Sequence, residues 1–184
     1  TTGNYTSLVI QGAVTLQGGG RVVLASGGDS RIQSGAANSV LTNVDNTISG
    51  GGVIGDDGNF ALVNQSTIDA SSATQALILG SGSAPVVNSG TIQASGTAGL
   101  LIRNQTVQNA GLIQALDGST VQLQGATLKG GRLRALGSGT IVSANRGNVL
   151  DGVTIDAGSQ VTVVDNQNLT LINTQNQGTY TLAS

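Results

Sequence analysis

The sequence predicts an all-β fold: a single-stranded parallel β-helix (β-solenoid) with three short strands per coil, about 20–22 residues per coil and eight or nine coils. Three observations carry this prediction. A short phrase recurs, and its anchoring apolar residues, Ile48, Ile68, Ile92, Ile113, Leu133 and Ile155, stand 20, 24, 21, 20 and 22 residues apart. Around each anchor apolar and polar residues alternate, the two-residue period of a strand. The composition also opposes helix, with 29 Gly, one Lys, no Glu and many β-branched residues.

The phrase itself is the first strand of each unit, as in Ser66-Thr67-Ile68-Asp69-Ala70 and Gly90-Thr91-Ile92-Gln93-Ala94. Its anchor and the residue two later are expected to face inward. They form one column of Ile and Leu, and a second of Gly50, Ala70, Ala94, Ala115, Ala135 and Ala157. The residue between them, Ser49, Asp69, Gln93, Gln114, Arg134 or Asp156, is polar in every unit and is expected to face out. Two further strands complete each unit. They are Gln75–Leu79 with Val86–Val87, Leu100–Ile102 with Thr106–Val107, and Val121–Leu123 with Thr127–Leu128. Next come Thr140–Ile141–Val142 with Val149–Leu150, then Val161–Val164 with Leu169–Ile172. Gly, Asn, Asp and Ser between the strands supply turn chemistry. Four residues before the anchors runs a column of Asn64, Asn88, Asn109, Lys129 and Asp151, where stacked Asn can form an amide ladder at a corner.

Residues 1–40 are less regular than 40–175. Ala13–Gln17, Arg21–Ala25 and Ser30–Gln33 read as the first coil. Thr179–Leu182 reads as the first strand of another coil, and neither end carries an amphipathic capping helix. With no linker or composition break, residues 1–184 read as one β-helical domain. Uncapped strand edges are templates for pairing, so end-to-end association is expected.

The absent residue types exclude whole chemistries. No Cys means no disulfide, thiolate nucleophile or iron–sulfur cluster, and no His means no imidazole base or ligand. A net charge of -2 argues against nucleic acid. No apolar run approaches the roughly 18 residues of a membrane helix. Thr1 opens the chain without a signal-peptide pattern, so the chain reads as a mature segment or an excised fragment, with targeting signals outside it.

Four kinds of site bear on function. Glycoside chemistry needs two carboxylates about 5–10 Å apart. Asp56 and Asp57 are adjacent in a Gly-rich stretch and read as a solvated turn, while Asp69 and Asp156 stand four coils apart in one column. Gly50-Gly51-Gly52-Val53-Ile54-Gly55-Asp56-Asp57-Gly58 has the wrong spacing for a calcium repeat and reads as a Gly-rich turn, so no metal or other cofactor is expected. Thr47, Thr67, Thr91 and Thr154 share an outward column, but Leu112 and Arg132 interrupt any regular lattice. Tyr5, Phe60 and Tyr180 are too scattered for a sugar platform. Arg132, Arg134 and nearby Lys129 form the one basic patch, which reads as a solvated face or a surface for an acidic ligand. No catalytic, cofactor or metal residue is therefore assigned.

The phrases Val87-Asn88-Ser89-Gly90-Thr91-Ile92, Asn109-Ala110-Gly111-Leu112-Ile113 and Leu150-Asp151-Gly152-Val153-Thr154-Ile155 resemble repeats of large bacterial exoproteins. These are the β-helical passenger or stalk regions of autotransporter and two-partner, filamentous-haemagglutinin-like adhesins. The resemblance covers about residues 40–175 and is one of repeat style. It implies a secreted, non-catalytic rod at a bacterial cell surface, with a host, bacterial or matrix surface as partner. Two alternatives stand beside it: a subunit that stacks on copies of itself into an extracellular filament, and a carbohydrate-binding or carbohydrate-active β-helix.

Overall fold

The computed structural model describes residues 5–26, 29–55, 60–80 and 84–184. Twenty-five strands follow one another, and the described residues contain no helix. Every strand pairs in parallel with the strand three places on, which builds three sheets of nine, eight and eight strands. The first sheet runs from Tyr5–Ile10 to Thr179–Leu182, the second from Ala13–Leu16 to Leu169–Ile172, and the third from Arg21–Leu24 to Gln175–Asn176. The chain is thus a β-solenoid of about eight coils, as the period predicts.

The anchor column is the core of the third sheet. Ile48, Ile68, Ile92, Ile113, Leu133 and Ile155 are in direct register and fully buried. Ala70, Ala94, Ala115 and Ala135 stack beside them, small where the sheet bends towards the next corner. The first sheet adds a column of Leu77, Leu100, Val121, Ile141 and Val161, and the second adds Leu41, Leu62, Val86, Val107, Leu128 and Leu150. Around Ile54, Phe60, Leu62 and Leu79 the interior leaves no void large enough for a water molecule. Apolar burial of this kind stabilises by roughly 25 cal/mol per Å². In a solenoid most of it comes from one coil stacking on the next.

The amide ladder forms. Asn43 donates to Asn64 at 2.9 Å, Asn64 to Asn88 at 2.8 Å and Asn88 to Asn109 at 2.7 Å, all buried. Each amide also donates to a corner carbonyl, Asn46, Ser66, Gly90 and Gly111 respectively. The ladder starts one coil earlier than the sequence column, at Asn43, and does not extend to Lys129 and Asp151. Leu133 follows Leu128 by five positions, where Ile113 follows Val107 by six. The shorter corner sets Lys129 against Gln108 on the outer face, with Asp151 above it. Gly131 lies over the Asn109 amide instead, where a Cβ would come 2.1 Å from Nδ2.

A second shortened corner overturns the expected inward place of Ala157, while Asp156 keeps its outward one, its N–H still bonded to the Leu133 carbonyl and its carboxylate on Arg132. Ser119 follows Ile113 by six positions, but Ser159 follows Ile155 by only four. The strand therefore stops at Ile155, and Ala157 is exposed rather than stacked on Ala135. Asp156 takes the corner position of Leu116 and Leu136, its carbonyl accepting from Ser159 as theirs accept from Ser119 and Gly139. The missing strand residues would strand the Ala135 N–H. The buried Ser159 hydroxyl accepts it at 3.1 Å.

Two other expectations are corrected. The first coil is Tyr5–Ile10, Ala13–Leu16 and Arg21–Leu24, so Ser30–Gln33 belongs to the second coil, paired on Tyr5–Ile10. The run Leu8-Val9-Ile10 blurs the alternation that would have revealed the opening strand. Nor is the stretch from Gly50 wholly a turn: Gly52–Ile54 is a strand between Asp29–Ser34 and Leu77–Leu79. Its corner is so tight that a Cβ on Gly50, at φ 116°, would lie 1.9 Å from the Leu24 carbonyl oxygen.

Candidate functional site

The outer face of the third sheet gathers most of the polar side chains singled out from the sequence. Asp69, Gln93, Gln114 and Arg134 stand in one outward column. Arg134 Nε donates to Gln114 Oε1 at 3.1 Å, and Gln114 Nε2 donates on to Gln93 Oε1 at 2.8 Å. Gln114 is only 7% exposed although it faces away from the interior, because its neighbours up and down the column cover it. Arg132 makes a two-point pair with Asp156, Nε to Oδ1 at 3.0 Å and Nη2 to Oδ2 at 2.7 Å. The hydrogen bonds to Asp156, and then its charge, hold Arg132 more firmly protonated than a free guanidinium. The basic patch is thus consumed internally: both arginines point outward as expected, but each is already engaged. Lys129 lies on the second sheet beside Asp151.

The other sequence candidates are dispersed. Asp56 and Asp57 lie outside the described residues. Asp69 and Asp156 are separated by the coils of Gln93, Gln114 and Arg134. Among the described residues, no three acidic side chains cluster as metal ligands would. The Thr column is real, Thr47, Thr67 and Thr91 in register, and Leu112 and Arg132 interrupt it before Thr154. The aromatic residues form no platform. Tyr5 packs under the Arg31 guanidinium at 4.9 Å, Phe60 is buried in the core, and Tyr180 is half-buried at the end of the interior.

Two exposed carboxylates do structural work. Asp45 Oδ1 accepts from the Gly19 N–H of the coil below, and Asp117 Oδ1 accepts from the Ser138 N–H at 2.7 Å and hydroxyl at 2.8 Å in the coil above. These bonds hold both carboxyls below their ordinary value, that from Gly19 leading for Asp45 and that from the Ser138 N–H for Asp117. Sequence reasoning missed a polar cluster at the corner between the first and second sheets. There the buried Asn148 donates to the Leu123 and Asn145 carbonyls and to Ser143 Oγ, and accepts from the Ala126 N–H. Its only sequence signal was an Asn ahead of Val149-Leu150, which reads as ordinary turn chemistry.

Among the described residues no helix is long and apolar enough to cross a membrane. A scan against family models and searches of curated proteins and of solved structures found no match to this chain.

Proposed function

We propose that the chain is a non-catalytic stalk segment of a secreted bacterial cell-surface adhesin, similar in kind to the β-helical rods of autotransporter and filamentous-haemagglutinin-like exoproteins. One observation supports this best. The interior columns repeat from coil to coil, whereas the outer columns change chemistry and pair among themselves. The outward column before the anchors reads Thr47, Thr67, Thr91, Leu112, Arg132 and Thr154. A stalk needs only the inside to repeat, while an enzyme needs outer groups that converge on one point. About eight coils at roughly 4.8 Å give a rod of about 40 Å, and the ladder of four buried amides ties successive coils together.

The test uses the parent bacterium. Antibodies against the 184-residue chain should label intact cells, and labelling only after permeabilisation would overturn a surface role. Duplicating the segment in tandem should lengthen the surface fibre by about 40 Å and leave attachment intact. If a fibre still reaches the surface but attachment is lost, the segment contacts the ligand itself and is no mere spacer.

A further inference from the structure

Four Asn-x-Ser/Thr triplets occur in the sequence, at Asn4, Asn64, Asn104 and Asn168. Such a triplet is an acceptor for a sugar on the asparagine amide when the fold presents it at the surface. Asn4 lies outside the described residues and Asn168 stands in the last corner, so the two in the middle of the rod carry the comparison. Asn64 is a buried ladder residue. Its Nδ2 donates to Asn88 Oδ1 at 2.8 Å, to the Ser66 carbonyl at 3.0 Å and to the Thr91 carbonyl at 3.2 Å. Asn104 is exposed, at the corner between Leu100–Arg103 of the first sheet and Thr106–Asn109 of the second. Its backbone is left-handed, at φ 48°, which asparagine tolerates. Its N–H donates to the Gln124 carbonyl at 2.7 Å, and its Oδ1 lies over Gly125, where a Cβ would come 2.5 Å from it. With Oδ1 turned to the next coil, Nδ2 is left on the solvent side, and among the described residues it donates to nothing. The rest of the triplet is held in place. Gln105 is buried, its Nε2 donating to the Ala84 carbonyl at 3.0 Å, and Thr106 stands half-buried in an outward column beside Thr127.

We infer that Asn104 is an N-glycosylation site, modified on Nδ2 by a sugar from a phosphate-linked donor, and that Asn64 is not. In the transfer Nδ2 bonds to C1 of the sugar. The C1–O bond to the donor phosphate breaks, its electron pair leaves on the phosphate, and one amide proton passes to a base of the transferase. An asparagine amide carries two protons and keeps one after the transfer. At Asn104 neither proton is in use, so a sugar projects into water and the fold gives up no bond. At Asn64 both are in use inside a buried column, where a sugar would break the ladder and find no space. The modification also answers a need of this surface. Charged residues are 9% of the chain and the net charge is -2, which does little to hold rods apart in water, and a sugar at this corner supplies a bulky, solubilising group instead. The inference does not rest on the stalk reading, since a stalk functions bare and a chain glycosylated at Asn104 is not thereby a stalk.

Trypsin separates the two asparagines. Cleavage after Arg31, Arg103 and Lys129 gives residues 32–103, with Asn64 in their one triplet, and residues 104–129, with Asn104 in theirs. In protein purified from its own cells, mass spectrometry should find 104–129 heavier by one or more sugar residues, located to Asn104 by fragmentation, with Asn64 unmodified. Asn104→Gln and Thr106→Ala should each remove the added mass, whereas Thr106→Ser keeps the hydroxyl of the triplet and should retain it. Asn104 is exposed and Thr106 faces outward, so all three variants should keep the wild-type circular dichroism spectrum. An unmodified 104–129 in the native protein would overturn the inference. So would a sugar on Asn64, or one that survives Asn104→Gln or Thr106→Ala, which would mark attachment at another atom.

Discussion

Replacing Asn88 by Ala tests the ladder where it is most connected. Asn88 accepts from Asn64 at 2.8 Å and donates to Asn109 at 2.7 Å and to the Gly90 carbonyl at 3.2 Å. Three bonds at about 1 kcal/mol each are lost. The Asn109 Oδ1, only 5% exposed as a residue, is left without its ladder donor, which adds about 1 kcal/mol or more. We expect a destabilisation of about 4 kcal/mol, a large part of the roughly 5–15 kcal/mol of an ordinary domain. Gln108→Ala, one residue before Asn109 and exposed on the outer face, should change stability by less than about 0.5 kcal/mol. Urea unfolding followed by circular dichroism measures both, and the slope should match the wild type if the coils still unfold together. A drop in slope would show that the ladder couples the two halves of the rod. A loss at Asn88 below about 1 kcal/mol would refute the reasoning, because it would mean that backbone and water replace the amide stack without cost.

Three further outcomes are expected. Ile113→Asp places an unpaired carboxylate in a fully buried column and should abolish cooperative thermal unfolding, whereas Gln122→Asp, outward and half-buried on the first sheet, should leave it. Gln114 would be a poor control, since it links Arg134 to Gln93. Asp117 is held below its ordinary value in the folded chain, so its contribution is present above about pH 4 and is lost as pH falls through the lowered value. Wild type should therefore melt above Asp117→Ala at about pH 6, and the gap should narrow as the pH falls through the lowered Asp117 value. Gly90→Ala should cost about 3 kcal/mol, because its Cβ would meet the Ser66 carbonyl oxygen at 2.1 Å, while Gly158→Ala, at φ 79° in open space, should cost about 1 kcal/mol. Equal melting temperatures for the two would show that the coils can spread apart at Gly90.

The sequence alone determined the fold class, the number of strands per coil and the residues of the anchor column. Those follow from period: a residue in every second place faces inward, and stacking at one coil per repeat puts like upon like. The candidate site was legible only in its parts. Arg132 and Arg134 were visible as neighbours, but their partners were not, since Asp156 and Gln114 reach them from adjacent coils. Tertiary structure decided phase. Val153-Thr154-Ile155-Asp156-Ala157 reads as another copy of the phrase, yet Ala157 is exposed because the corner after it is two residues short. Lys129 likewise sits in the Asn column by count and on the outer face in space. A repeat records which residues alternate. Which residue of the next coil each one meets depends on the length of the corner between them, and the backbone settles that by satisfying its hydrogen bonds.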